Sequence, residues 1–192
     1  MKKDIILSGV GGQGILSIAT VIGDAATNAG LYLKQAEVHG MSQRGGDVQS
    51  HLRLSHDPIY SDLIPQGETD VIISMEPMEA LRYVSWLKPT GWLVTSSQPL
   101  INIPNYPDTE ALQQELASQP QVARLNIETM AKEAQTPKSA NMILLGMAAP
   151  YIEIISPEDL RNSIINFFKS KGEKIISDNL KAFDLGYNTT KR

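Results

Sequence analysis

The 192-residue sequence contains no cysteine. Disulfides, thiolate zinc sites and cysteine-held iron–sulfur clusters are therefore excluded for these residues. Aromatic residues make up only 6%, and no apolar run approaches the roughly 18 residues that a membrane-spanning helix needs. Positive charge is not in excess: 17 Lys+Arg stand against 21 Asp+Glu, a formal net charge of -4. The electrostatic footprint of a nucleic-acid binder is missing. Met1-Lys2-Lys3 imitates the positive start of a secretion signal, but Asp4 and the glycines from Gly9 to Gly14 break the apolar stretch such a signal requires. The expectation is one soluble, cytoplasmic domain over residues 1–192 that binds neither nucleic acid nor membrane.

What the sequence does have is an α/β alternation. Asp4 to Ser8 is a short apolar run that reads as a buried strand, followed by glycine punctuation. Ile15, Ile18, Ala19, Ile22, Ala25, Ala26 and Ala29 then recur at helical spacing as far as Gly30. Leu31 to Gln35 and Val48 to Leu54 predict two further strands, with Val48, Ser50, Leu52 and Leu54 facing one way and Gln49, His51 and Arg53 the other. The glycine-containing segment between them is too short for a helical crossover, so an antiparallel pair joined by a long loop is expected. Val71 to Ser74, a helix opening near Pro77 and running to Leu87, a turn at Pro89-Thr90-Gly91 and Trp92 to Thr95 form a βαβ unit. A polar helix over Thr109 to Ser118 and a strand over Val122 to Leu125 follow an irregular stretch marked by Pro99, Pro104 and Pro107. Three helices are predicted in the last third, near 140–149, 157–170 and 172–185, with Pro150 and Gly172 among the separators. Ile164, Ile165, Phe167, Phe168, Ile175, Ile176, Leu180 and Phe183 on the last two serve either as core or as a docking surface. The fold class is thus α/β: a three-layer, Rossmann-like mixed sheet with an antiparallel departure after the second strand and a helical C-terminal third.

Gly9-Val10-Gly11-Gly12-Gln13-Gly14 fits G-x-G-x-x-G between strand and helix, where bare N–H groups and the positive helix end receive an anion. The bland alternative is that these glycines only allow tight strand–helix packing. Ile15 stands where a Walker A loop requires lysine, which rules that motif out. Glu37 is a loose candidate for the ribose-binding acid of an NAD site, but it runs into a loop too polar and glycine-rich to be the next helix of a Rossmann half. That loop carries His39, Ser42, Gln43, Arg44 and Gly45, with His51 and Arg53 on the strand beyond. It is either a binding loop or an exposed connection in which Arg44 pairs with Glu37. No catalytic triad, metal-ligand spacing or pair of acid–base carboxylates can be defended.

The glycine turn followed by Glu37-Val38-His39-Gly40-Met41-Ser42-Gln43-Arg44-Gly45-Gly46-Asp47-Val48-Gln49-Ser50-His51-Leu52-Arg53 resembles the gamma-type domain of the 2-oxoacid:ferredoxin oxidoreductases. Within that family the His-Gly-Met-Ser-Gln-Arg-Gly-Gly segment points to the indolepyruvate branch. The resemblance is specific over about the first 55 residues, with echoes at Asn141 to Gly146 and Phe183 to Tyr187. It implies a subunit of an enzyme that oxidatively decarboxylates aryl pyruvates, conjugates the acyl group to coenzyme A and passes electrons to ferredoxin. Thiamine diphosphate enzymes carry a Gly-Asp-Gly segment, whereas this chain has only Gly23-Asp24-Ala25 inside a helix. Thiamine diphosphate and the clusters are therefore expected on a larger alpha subunit, with no cofactor held by this chain alone. Coenzyme A phosphates or the partner's backbone are expected against the glycine turn, and Arg44 near the junction. The competing reading is a free-standing nucleotide sensor that binds NAD or an adenine nucleotide without catalysis.

Overall fold

The computed structural model describes residues 1–39 and 45–190. One sheet contains β1 (Lys2–Val10), β2 (Tyr32–His39), β3 (Asp47–Ser55), β4 (Thr69–Ser74), β5 (Leu87–Ser96) and β6 (Val122–Leu125), in the order β2-β3-β1-β4-β5-β6. β1 is buried from Asp4 to Val10, as a strand covered on both faces must be. It runs parallel to β4, and β4, β5 and β6 continue the parallel array. β3 is antiparallel to β2, as the short connection demands, and antiparallel to β1 as well. The strand that reverses direction is thus inserted between the first two, and β2 becomes the sheet edge.

α1 (Ile15–Asn28), α5 (Ala140–Ile152), α6 (Pro157–Phe168) and α7 (Glu173–Thr190) lie with Ile5, Leu7, Leu52, Ile73 and Val94 in one apolar core. On the opposite face, Ile6, Ile72 and Leu93 pack with Ala80 of α2 (Pro77–Arg82) and Leu116 of α3 (Thr109–Ser118). Helices therefore cover both faces. α2 is shorter than the spacing suggested. A 3-10 turn over Val84–Trp86 follows it, and Leu87 already belongs to β5. The expected turn at Pro89-Thr90-Gly91 lies inside that strand as an irregularity: Thr69 pairs with Leu87 and Val71 with Trp92, so the extra residues bulge outward.

α5 is buried on nearly every side, from Asn141 to Ala149 and again at Tyr151 and Ile152, because α7 covers the face turned away from the sheet. This explains an apolar run with no helical period. Pro150 does not end it. Proline removes only its own N–H, and the stacking of Tyr151 on Trp92, with ring centroids 4.2 Å apart, holds the final turn. Ile164 and Phe183 are core, while Ile165, Phe167 and Ile175 remain more than a third exposed. α4 (Ile127–Glu133), a seven-residue helix, was not anticipated; the Asn126 side chain caps it by accepting from the Thr129 N–H.

Candidate functional site

The parallel strands deliver their carboxyl ends to one edge of the sheet, where α/β proteins place ligands. There β1 passes into the glycine turn. Gly12 (φ 103°) and Gly14 (φ 85°) adopt the left-handed conformation that favours glycine. Gln13 folds back: its Oε1 accepts the Val10 N–H at 2.7 Å, and its Nε2 lies 3.5 Å from the Met75 carbonyl at the end of β4. Gly9 leaves room for this, since a Cβ there would sit 3.0 Å from both Gln13 Oε1 and Ile15 Cγ1. From the other side Asn141 Nδ2 donates to the Gly14 carbonyl at 3.2 Å, tying the start of α5 to the start of α1.

The two sequence motifs meet here. The Gly11 N–H donates to the Gly46 carbonyl at 2.8 Å, and Asn102 Nδ2 donates to the Gly45 carbonyl at 2.7 Å. Asn102 belongs to the proline-rich segment after β5, which is itself pinned by the fully buried Glu76 carboxylate. That carboxylate accepts the Leu100 N–H at 3.3 Å, the Glu79 N–H at 2.8 Å and the Tyr106 hydroxyl. Gly45 and the backbone of His39, which pairs with Val48 at the end of β2, thus flank this edge. Ser42, Gln43 and Arg44 lie outside the described residues.

Three other expected site residues are elsewhere. Glu37 sits on the edge strand, accepting from Gln35 Nε2 at 2.5 Å, with β3 between it and β1. Two strand spacings, about 10 Å, separate it from the strand that leads into the glycine turn. The adjacency that lets a Rossmann acid reach a ribose is absent. Arg53 lies opposite Asp4 at the far end of β1, and its Nη1 donates to the carbonyls of Ser61 (3.0 Å) and Leu63 (2.9 Å). His51 is 3% exposed, accepts the Ile64 N–H on Nδ1 at 3.0 Å, and meets Trp86 edge-on. Both side chains hold the segment that returns from β3 to β4.

Burial, and then the nearby Arg53 charge, hold His51 below its ordinary value of 6.5, with Asp4 opposing them. The unfolded chain therefore takes up this proton before the folded one does. The stability contributed by neutral His51 is present above pH 6.5 and declines as the pH falls through the lower folded value. Replacing His51 with asparagine, which keeps an acceptor but no titrating ring, should flatten the loss of urea stability between about pH 7 and pH 5. Parallel pH curves for parent and variant would contradict this.

Beside the glycine turn opens a cleft of about 960 Å³ that the sequence reading missed. Its walls come from Gly12 to Gly14, Gln98 to Leu100, the Gln135 to Asn141 turn, and Phe168, Lys171 and Lys174 at the α6–α7 corner. Glu128 also faces it, accepting from Ser96 Oγ at 2.8 Å, with burial first among the causes that push its carboxyl up. A smaller groove of about 660 Å³ along α7, at Ile176, Leu180 and Leu185, contains none of the motif residues. Among the described residues no group of three or more His, Asp or Glu side chains is placed to hold a metal ion, and no helix is long and apolar enough to cross a membrane.

Residues 4–189 match the family model of pyruvate ferredoxin/flavodoxin oxidoreductases. The chain belongs to that family. Curated relatives of this oxidoreductase family member include indolepyruvate oxidoreductase subunit IorB of Pyrococcus horikoshii, 34% identical over 200 residues and covering 100% of this chain and 98% of the relative. The subunit of the same name from Archaeoglobus fulgidus is 35% identical over 196 residues, covering 98% and 95%. Among solved structures, the 2-oxoglutarate:ferredoxin oxidoreductase from Magnetococcus marinus, with 2-oxoglutarate, coenzyme A and succinyl-CoA bound, superposes with a TM-score of 0.78 at 25% identity. That match covers 99% of this family member but 31% of the Magnetococcus polypeptide. Relatives of this kind leave the free-standing nucleotide sensor without support.

Proposed function

We propose that the chain is the non-cofactor-bearing subunit of an indolepyruvate (aryl pyruvate) ferredoxin oxidoreductase. In this reaction the 2-oxo acid loses carbon dioxide, the acyl group is joined to the thiol of coenzyme A, and the released electron pair passes to ferredoxin. The reading is supported by identity of about one third over nearly full length to indolepyruvate oxidoreductase subunits. Residues present do not fit the cofactors: there is no cysteine for a cluster, and Gly23-Asp24-Ala25 is helical rather than a cofactor loop. Both cofactors are assigned to the larger partner. This chain's own work is to shape the junction. The main-chain N–H groups of Gly12 and Gly14 and the start of α1 are assigned to phosphate of coenzyme A, since those of Gly11 and Gln13 already donate to the Gly46 and Val10 carbonyls; the loop from His39 through Ser42, Gln43 and Arg44 to Gly45 is assigned to the boundary with the partner.

Co-expression with the larger subunit tests this. Viologen reduction with indolepyruvate and coenzyme A should require both chains, and equal activity without this one would defeat the proposal. Within an intact complex, Arg44→Ala should lower turnover by about tenfold, the size expected for a lost charge-assisted contact. Unchanged turnover would remove that role from Arg44.

A further inference from the structure

Glu76 has no accessible surface, and no ion pair to it forms among the described residues. A carboxylate buried in this way is costly unless hydrogen bonds stabilise it. One of them caps α2: Oε2 accepts the Glu79 N–H at 2.8 Å. A cap needs only that bond, and serine, threonine, aspartate and asparagine are the usual residues for it. The longer side chain of Glu76 brings its other oxygen, Oε1, to the segment after β5, where it accepts the Leu100 N–H at 3.3 Å and the Tyr106 hydroxyl. A single buried carboxylate thus holds two separate pieces of chain.

Residues 99–107 have few other holds. Leu100, Ile101 and Ile103 are 40%, 65% and 36% exposed, so packing does little to place them. Pro99, Pro104 and Pro107 restrict the backbone but have no N–H to donate. The Tyr106 N–H donates to the Ile103 carbonyl at 3.3 Å and so closes the segment on itself. Its bond outward comes from the exposed Asn102, whose Nδ2 donates to the Gly45 carbonyl at 2.7 Å. Gly45 is left-handed, with φ 78°, and the next carbonyl, that of Gly46, is held separately by the Gly11 N–H. The line of hydrogen bonds that starts at Glu76 therefore ends on Gly45, the neighbour of Arg44 in sequence.

We infer that Glu76 and Asn102 are positioning residues for the reaction. Both act through Gly45: Glu76 fixes the segment that carries Asn102, and Asn102 fixes the Gly45 carbonyl at the boundary with the larger subunit. A single exposed hydrogen bond adds little to stability, whereas a displacement of about an ångström at a reacting junction can lower a rate severalfold or more. The effect on turnover rests on the function proposed above; the hold on Gly45 does not.

The hold is tested on the full chain by amide NMR relaxation. Asn102→Ala should lower the order parameter at Gly45 from about 0.85 to below about 0.6. Asn102→Asp, which keeps the shape but cannot donate, should do the same. Tyr106→Phe, which takes one donor from Glu76, should lower it by a smaller amount. An order parameter at Gly45 that stays parental in either Asn102 variant would overturn the hold, and one that stays parental in Tyr106→Phe would remove Glu76 from it.

In the assembled enzyme, with the larger subunit in excess, Asn102→Ala should lower kcat about fivefold and leave KM for the 2-oxo acid within about twofold of the parent. In an Arg44→Ala background the same substitution should have no further effect, because the side chain whose placement it disturbs has been removed. A merely structural role gives the same factor in both backgrounds. That result, or parental kcat in Asn102→Ala, would overturn the positioning role. Activity that never depends on this chain would overturn the proposed function and leave the relaxation result standing.

Discussion

Gly186→Ala unfolds the chain at temperatures where the parent is stable, with a cost of at least about 3 kcal/mol. α5 and α7 touch backbone to backbone. A Cβ on Gly186 would lie 2.0 Å from the Ile143 carbonyl oxygen and 3.0 Å from the Met147 nitrogen. A Cβ on Gly146 would lie 2.0 Å from the Phe183 carbonyl oxygen and 2.8 Å from the Tyr187 nitrogen. No rotamer change relieves such contacts, because the opposing atoms are main chain. The helices must separate, and Phe183, fully buried beside the contact, loses its packing. In a chain of this size 3 kcal/mol corresponds to roughly 6–12 °C in thermal midpoint. Gly146→Ala should cost a similar amount, and the double variant much less than the sum, since one separation accommodates both methyl groups. Calorimetry of the three variants checks this; additive costs, or a midpoint within a degree or so of the parent, would refute the close contact.

Arg53→Met comes second, at about 3 kcal/mol, the lower end of what breaking a buried pair costs. Asp4 is fully buried, and Arg53 grips it with Nε at 2.9 Å and Nη2 at 3.3 Å. Methionine preserves the packing of the stem but strands the carboxylate with Lys2 alone, 2.8 Å away and itself 42% exposed. It also frees the carbonyls of Ser61 and Leu63. Asp4→Asn in the Arg53→Met background should restore part of the loss, because it removes the uncompensated charge. Urea denaturation measures both effects. Arg53 is six residues of strand, about 20 Å, from the glycine turn, so the folded Arg53→Met protein should support parental kcat/KM in the assembled enzyme. A specific kinetic defect would return Arg53 to the site.

Arg53 and His51 show where sequence reading stops. A guanidinium and an imidazole projecting from a strand beside a polar loop have the chemistry of a binding site, and nothing local distinguishes that from their actual partners. Those partners are the Asp4 carboxylate, 49 residues earlier, and carbonyls and an amide 8 to 13 residues further along the chain. The β1–glycine turn–α1 unit was readable because glycine placement and helical spacing are local signals. The antiparallel pairing of β2 with β3 was readable from the shortness of their connection. Alternation along β3 points to one buried face, whereas Ser50 to Ser55 are buried on both, and it says nothing about neighbours, so the insertion of β3 beside β1 was not readable, and with it fell the ribose role of Glu37. The cleft escaped for a related reason: Thr136-Pro137-Lys138-Ser139 reads as an ordinary turn until Asn141 brings it against Gly14.

The bond from the Gly11 N–H to the Gly46 carbonyl joins two main-chain atoms that any residue other than proline would supply. A side-chain scan passes over it in silence, scoring the residues around it while the latch between the motifs stays shut. Its loss can come only through backbone geometry, so the splice between the two motifs does not depend on which side chains stand at positions 11 and 46.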